Sequence, residues 1–359
     1  MQSVLVVVTR QIGDVLLTTP LIHEARRLWP QASIDVLGFA GTLGMLRGNP
    51  DVRALIEVPS RPGAGGTARL ARSLWRRYDL ALVADPGDRA HLIGWIAAPM
   101  RAGILPQDSG SNWWKRKLLR HAVTSPGDLG DLHVVQEKVE LLGPWREGSA
   151  ALPQLVGPDG ADLPAALQQR LRPGYVVVHT PSMWPYKQWP LAHFRELAGL
   201  LAMAGRQVVL TGGPGAGDRD AVASMEGAAP REQLVDAGVL DFNQVARLLR
   251  GSALYIGPDT SVSHLAAACG VPVLAIFGPT NPQRWAPWPA LAEGQPVRFQ
   301  RRSQVQAVGQ VTLMQAELPC VPCGMAGCED HRGSRADCMP AIRPERVAAQ
   351  ALEILRRGG

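Results

Sequence analysis

Short continuous apolar runs alternate with longer amphipathic ones along the chain. Val4–Val8, Ser33–Leu37 and Leu80–Ala84 read as strands. Between them Leu16–Trp29, closed by Pro30, and Thr67–Arg77 carry apolar positions at helical spacing. Strands built almost wholly from Val, Leu and Ile are buried on both faces. That predicts a parallel sheet with helices on either side. From Pro126 to Pro173 the pattern loosens: the helix His133–Leu142 is followed by Gly143-Pro144, Pro153, Gly157-Pro158 and Pro164, the composition of a linker. The alternation then restarts. Tyr175–His179, Gln207–Thr211, Ala253–Ile256 and Val271–Phe277 read as strands; Leu191–Ala204, Asp218–Met225, Asp241–Arg250 and the short His264–Ala268 read as helices. The expected architecture is α/β, with two Rossmann-like domains at residues 1–160 and 172–359. Ligands of such sheets bind beyond the carboxyl ends of the strands.

A length of 359 residues suits two domains. The net charge of +6 is a modest basic excess. It fits an acidic ligand or an anionic membrane surface and is too small to argue for nucleic acid. Met1-Gln2-Ser3 leads straight into Val4–Val8 with no basic leader, and no apolar run reaches membrane length. The expected location is cytoplasmic, with room for peripheral contact at a membrane surface.

Three loops follow predicted strands and hold the candidate chemistry. The first runs Thr9-Arg10-Gln11-Ile12-Gly13-Asp14, where Gly13 permits a tight turn. Asp14, at the mouth of a helix, either caps it or serves as a general base toward a hydroxyl. The second runs His179-Thr180 to Lys187-Gln188-Trp189-Pro190, and Lys187 is either a phosphate ligand or a solvated lysine. The third, Gly257-Pro258-Asp259-Thr260-Ser261, enters a helix whose free N–H groups and positive dipole end suit phosphate. Its polar residues either form that site or only cap the helix. Thr211-Gly212-Gly213-Pro214-Gly215-Ala216-Gly217-Asp218 adds a glycine loop that lacks the G-x-G-x-x-G order, which counts against a nicotinamide-dependent oxidoreductase.

In order along the chain, IGDVLLTTP at Ile12–Pro20, KQWP at Lys187–Pro190, TGGP at Thr211–Pro214 and GPDTSVSHLAAACGVPVLAIFGPTNP at Gly257–Pro282 resemble glycosyltransferase family 9, the heptosyltransferases of lipopolysaccharide core assembly. The resemblance implies a GT-B fold and inverting, metal-independent transfer of a sugar from a nucleotide donor, usually ADP-heptose. It implies that Asp14 is the general base, that Lys187 holds the donor phosphates, and that the turn at Asp259, Thr260 and Ser261, with His264 nearby, contacts the pyrophosphate. Ser261 stands where many members have Gly. Thr180, Gly212 and Gly213 fall in donor-side blocks, and Asp218 is the candidate for the acidic residue that binds the ribose. A non-catalytic nucleotide-sugar-binding protein of the same fold is the alternative.

Ser111–Val123 interleaves Lys115, Arg116, Lys117 and Arg120 with Trp113, Trp114, Leu118 and Leu119. This suits either contact with anionic lipid or an acidic acceptor, or a surface helix packed by its apolar side. Lys115, Arg116 and Arg120 join Arg10 and Gly13 as acceptor-side candidates, with Arg61 and Arg89 as weaker ones. The expected acceptor is an anionic glycolipid.

Cys320, Cys323, Cys328 and Cys338 follow C-x2-C-x4-C-x9-C, with His331 among them. The first pair is a usual half of a tetrahedral zinc site; the second is not. Structural zinc therefore stands beside reduced thiols or facultative disulfides. Cys269 closes an apolar helix and reads as core.

Overall fold

The computed structural model describes residues 1–107, 110–146, 154–291, 295 and 297–358. The chain divides into two compact units, Met1–Pro158 and Asp159–Gly359.

The first unit runs β1 (Ser3–Val8), α1 (Ile12–Leu16), α2 (Thr19–Leu28), β2 (Ser33–Phe39), β3 (Ala54–Val58), α3 (Ala64–Leu74), β4 (Leu80–Val83), α4 (Asp88–Ala97), β5 (Met100–Leu105), α5 (Trp113–Leu118), β6 (His121–Thr124) and α6 (Val134–Val139), ending in a 3₁₀ turn at Glu140–Trp145. Its strands form one parallel sheet in the order β3-β2-β1-β4-β5-β6. Successive side chains of β1 point to opposite faces. Val4, Val6 and Val8 pack with Leu21, Ile22 and Ala25 of α2. Leu5 and Val7 pack with Leu74 of α3 and Ala90, Ile93 and Ala97 of α4.

The second unit contains α7 (Ala165–Gln168), β7 (Val176–His179), α8 (Leu191–Met203), β8 (Val208–Thr211), α9 (Ala216–Ala223), β9 (Leu234–Asp236), α10 (Phe242–Arg250), β10 (Leu254–Pro258), α11 (Ser261–Ala268), β11 (Val273–Phe277), α12 (Pro282–Trp285), β12 (Val305–Val308), β13 (Val311–Gln315), α13 (Cys338–Ala341) and α14 (Pro344–Arg357). Its sheet order is β12-β13-β11-β10-β7-β8-β9, parallel except for the β12–β13 pair. The stretch 161–171, assigned above to neither domain, carries α7 and is tied to this unit by Ala161 N donating to Asn243 O at 3.1 Å.

In each sheet the connections leave in opposite directions from one central pair of strands. That pair is β1 and β4 in the first unit, β7 and β10 in the second. Loops after such strands separate and leave a crevice, the usual place for a ligand in this architecture.

Several elements differ from the expectation. The helix expected at Leu16–Trp29 is α2, which starts only at Thr19, and a separate short helix, α1, precedes it and includes Gly13, expected as a tight turn. Thr18 Oγ1 donates to Asp14 O at 2.7 Å, Thr19 Oγ1 donates to Leu16 O at 2.8 Å, and Pro20 has no N–H to continue the ladder. The segment expected as one amphipathic stretch at Ser111–Val123 is a short helix followed by an edge strand. Helix α11 begins at Ser261, three residues before the expected His264.

Candidate functional site

In the first unit, the loops after β1 and β4 are pinned together. Thr9 donates to Asp85 Oδ2 from its backbone N at 2.6 Å and from its hydroxyl at 2.9 Å. Asp85 Oδ1 accepts from Gly87 N at 2.8 Å. This buried carboxylate closes both loop starts and fixes where α1 begins. Gln11 is the N-cap of α1 and makes no side-chain cap bond, so Asp14 is not the cap. It lies in the first turn, where a negative charge meets the positive helix end. Its side chain is 14% exposed, with Arg10 Nε at 3.9 Å. Arg10, Gly13 and Asp14 therefore stand together.

Beneath them lies a residue that the sequence reading passed over. Lys138 of α6 is buried; its Nζ donates to Thr18 Oγ1 at 3.0 Å and to Ala84 O at 2.9 Å. Thr18 in turn holds the carbonyl of Asp14. Burial pushes the Lys138 ammonium below its ordinary pKa, against the opposing pull of Asp14, Asp85 and Glu137. The available signal was a lysine set among Val134, Val135, Val139, Leu141 and Leu142.

The other acceptor candidates lie elsewhere in this unit. Lys115 is buried, its Nζ donating to Pro86 O at 2.9 Å and paired with Asp88 Oδ1 at 2.6 Å; it braces the loop after β4 and is not an exposed cation. Arg116, Arg120 and Arg61 are exposed. Arg89 lies over the Phe39 ring at 5.4 Å and donates to Ser60 O.

In the second unit, β7 ends at His179, whose ring bonds Thr211 Oγ1 at the end of β8 at 3.1 Å. Burial pushes this imidazole down to a pKa of about 4, so it is neutral. Thr180 is wholly buried, and its hydroxyl has no hydrogen-bond partner among the described residues. Gln188 holds the following loop in shape: its Nε2 donates to Thr180 O and Trp189 O, and its Oε1 accepts from Ser182 N. Trp189 anchors that loop in the core, with Nε1 donating to Ile342 O at 2.9 Å. Just before them the 3₁₀ turn Pro185–Lys187 points Lys187 at the end of β10. Lys187 Nζ lies 2.5 Å from Asp259 Oδ2, with side chains 22% and 6% exposed.

The turn after β10 is held from behind. Ser263 Oγ donates to Pro258 O at 2.5 Å and shares a bond of 3.0 Å with the buried Tyr255 hydroxyl. A side chain at Gly257 would collide with that phenol. Thr260 is the N-cap of α11 and makes no side-chain cap bond. Ser261 opens the helix, and His264 is buried within its first turn. Lys187, Asp259, Thr260, Ser261 and His264 thus gather at the crevice between β7 and β10. At the end of β8, the Asp218 carboxylate lies over the glycine loop, where a Cβ on Gly213 would strike its Oδ2. Lys187 and the start of α11 offer one ammonium and the N–H groups of a helix end, the equipment for a diphosphate.

The Cys-rich segment packs against the same region. Gly278 approaches Met339 and Cys338 closely, and Gly324 N donates to Pro279 O at 2.8 Å. Burial and then the charges of Cys323, Cys320 and Cys328 push the Cys338 thiol up to about 12. All four cysteines are free thiols. Among the described residues no three His, Cys, Asp or Glu side chains are grouped to hold a metal ion, so the zinc alternative raised for these cysteines is not shown.

Residues 67–309, more than half of the chain, match glycosyltransferase family 9 (heptosyltransferase). The chain belongs to this family. It is a glycosyltransferase. Lipopolysaccharide heptosyltransferase 3 of Escherichia coli is 29% identical over 297 residues, covering 77% of this chain and 83% of its own length. Lipopolysaccharide heptosyltransferase 1 of Pseudomonas aeruginosa is 28% identical over 372 residues, covering 97% and 96%. The fold matches that of E. coli ADP-heptose lipopolysaccharide heptosyltransferase II, with a TM-score of 0.70, 21% identity and 99% of each chain covered. It also matches an E. coli heptosyltransferase bound to ADP, with a TM-score of 0.69 and 20% identity over 98% of this chain and 100% of the other. The fold is GT-B.

Proposed function

We propose that this glycosyltransferase moves a heptose from ADP-heptose onto a lipopolysaccharide-core acceptor, with inversion and without a catalytic metal. The observation that carries the reading is the Lys187–Asp259 pair beside the start of α11, at the central crevice of the second sheet. The names of the relatives supply the sugar, the nucleotide and the acceptor class.

In this reading Asp14 takes the proton of an acceptor hydroxyl as that oxygen attacks the anomeric carbon. The bond from that carbon to the diphosphate breaks on the opposite face, and ADP leaves. Its developing charge meets Lys187 and the N–H groups opening α11. Asp218 is proposed for the ribose and Arg10 for the anionic acceptor. Such an acceptor is lipid-anchored, so the proposal sets the enzyme at the cytoplasmic face of the membrane. Among the described residues no helix is long and apolar enough to cross a bilayer. Structural zinc is left out of the proposal because, among the described residues, no three His, Cys, Asp or Glu side chains are grouped to hold a metal ion.

Asp14→Ala tests the assignment. Turnover should fall by about 10²- to 10⁴-fold, the usual contribution of a general base, while ADP affinity stays within about threefold. Near-wild-type turnover would remove Asp14 from its role.

A further inference from the structure

The two helical layers of the first unit present different outer surfaces. The layer of α3, α4 and α5 carries four of the five exposed large apolar side chains among this unit's described residues: Trp75, Leu92, Trp95 and Trp113, at 60%, 47%, 40% and 63% exposure. Leu129, the fifth, is in a loop.

These side chains sit on one connected layer. Leu92 and Trp95 are three residues apart on α4, whose opposite side buries Ala90, Ile93 and Ala97. Trp75 is the C-cap of α3, and the next residue, Arg76, donates its N–H to Ile96 O of α4 at 3.0 Å. Helix α5 flanks α4 from end to end. Lys115 reaches Asp88 at the start of α4, while Arg101 joins the far ends by donating to Leu118 O and Ala98 O. Trp113 precedes the inward Lys115 by two positions, which turns it to the outer side of α5.

The same layer is basic. Arg69, Arg72 and Arg76 are exposed and spaced i, i+3, i+7, and residues 58–78 contain no Asp or Glu. Each outermost tryptophan carries its own cation: Arg76 lies over the Trp75 ring at 5.7 Å and Lys117 over the Trp113 ring at 4.9 Å. The one acidic side chain at the start of α4, Asp88, is paired with Lys115.

We propose that this face docks on the headgroup region of an anionic lipid bilayer. Amphipathic rings are favoured at the depth between headgroup and acyl chain. The surrounding guanidinium and ammonium groups complement lipid phosphate and the negative leaflet. Charge complementarity decides the occupant: a stripe of cations free of acidic partners would repel an identical face on a second copy of this chain. The inference concerns a surface outside the transfer site and stands apart from the identity of the sugar.

The test is co-sedimentation of the full chain with vesicles of phosphatidylcholine alone and of phosphatidylcholine mixed with phosphatidylglycerol. Binding should require phosphatidylglycerol and weaken with added salt. Each cation near such a surface is worth about fivefold in affinity, so Arg69→Glu/Arg72→Glu/Lys117→Glu should weaken binding by at least about 100-fold. Trp75→Ser/Trp95→Ser/Trp113→Ser should also release the protein, and thermal unfolding near that of wild type would show that these exposed positions leave the fold intact. Equal binding to both vesicle types, no binding at low salt, or binding unchanged in both variants would overturn the proposal. So would a tryptophan variant that dissociates an oligomer while vesicle binding persists. Both variants should retain transfer to a delipidated, soluble acceptor; loss of transfer by wild type in that assay would bear on the proposed reaction and leave the docking result standing.

Discussion

Replacing Lys187 by Met removes one partner of a pair that is largely out of water. Asp259 would keep its carboxylate, 6% exposed, with its ammonium partner gone. Breaking a buried pair from one side costs about 3–5 kcal/mol. Lys187 retains 22% exposure, so the low end, about 3 kcal/mol, applies. A unit of this size loses about 2–4 °C per kcal/mol, which gives a fall in Tm of about 6–12 °C. Nucleotide binding suffers separately. A charge-assisted bond contributes about 1.5–3 kcal/mol, so ADP affinity should fall by about 10- to 100-fold. The double variant Lys187→Met/Asp259→Asn separates the two effects. It removes both charges, so stability should return to within about 1 kcal/mol of wild type. It offers no cation, so ADP affinity should stay low. Calorimetric unfolding and ADP titration of all three proteins decide the matter. A single variant as stable as wild type would refute the structural half, as would a double variant no more stable than the single. Recovery of ADP binding in the double variant would refute the assignment of Lys187 to the diphosphate.

Two further outcomes follow from buried groups. His179 has a pKa of about 4 in the fold against an ordinary 6.5, so only the unfolded chain takes up its proton between those values. Its contribution is complete above pH 6.5 and is lost as pH falls toward 4, about 3 kcal/mol in all. His179→Gln should flatten the acid side of the Tm–pH curve; an unchanged slope would rule the residue out. Lys138→Met should lower kcat by about 10- to 100-fold through the loosened Thr18–Asp14 turn, because small displacements of a reacting group are costly. ADP affinity should be unchanged, and a variant with wild-type kcat would show that Lys138 does not position Asp14.

The strands that build both crevices were legible because they are buried on both faces. VLVVV, LALV and VLAIF leave no polar position to confuse the period. The sheet margins were not. β3 and β12 are half-exposed, β9 has three residues, and β6 reads HAVT, so neither alternation nor length marks them. The site divides in the same way. Asp14, Lys187 and Asp259 follow strands within glycine- or proline-bearing loops, and such placement is visible in one dimension. Asp85 and Lys138 act through partners 76 and 120 residues away; nothing local distinguishes Asp85 from a turn aspartate, and the apolar residues around Lys138 mark it as buried without naming its partner.

The competing role for the turn at Asp259–Ser261 was helix capping, and its geometry bears directly on that choice. A capping side chain takes up the N–H of the second or third helical residue, the groups that an anion would use. At the start of α10 a side chain does this: Asp241 accepts from Gln244 N at 2.9 Å, and Gln244 returns the bond. Uncapped helices also occur, with Gly at the N-cap of α3 and α4 and with Thr18, Asn112 and Asp337 at those of α2, α5 and α13, so a missing cap alone distinguishes nothing. At α11 the Thr260 hydroxyl likewise makes no such bond, which leaves those N–H groups to a ligand. Ser263 supplies the rigidity from inside the turn through Pro258 O and Tyr255. The turn is therefore held without spending the outward N–H groups of its helix, the arrangement that phosphate recognition requires and that a purely capping role would have removed.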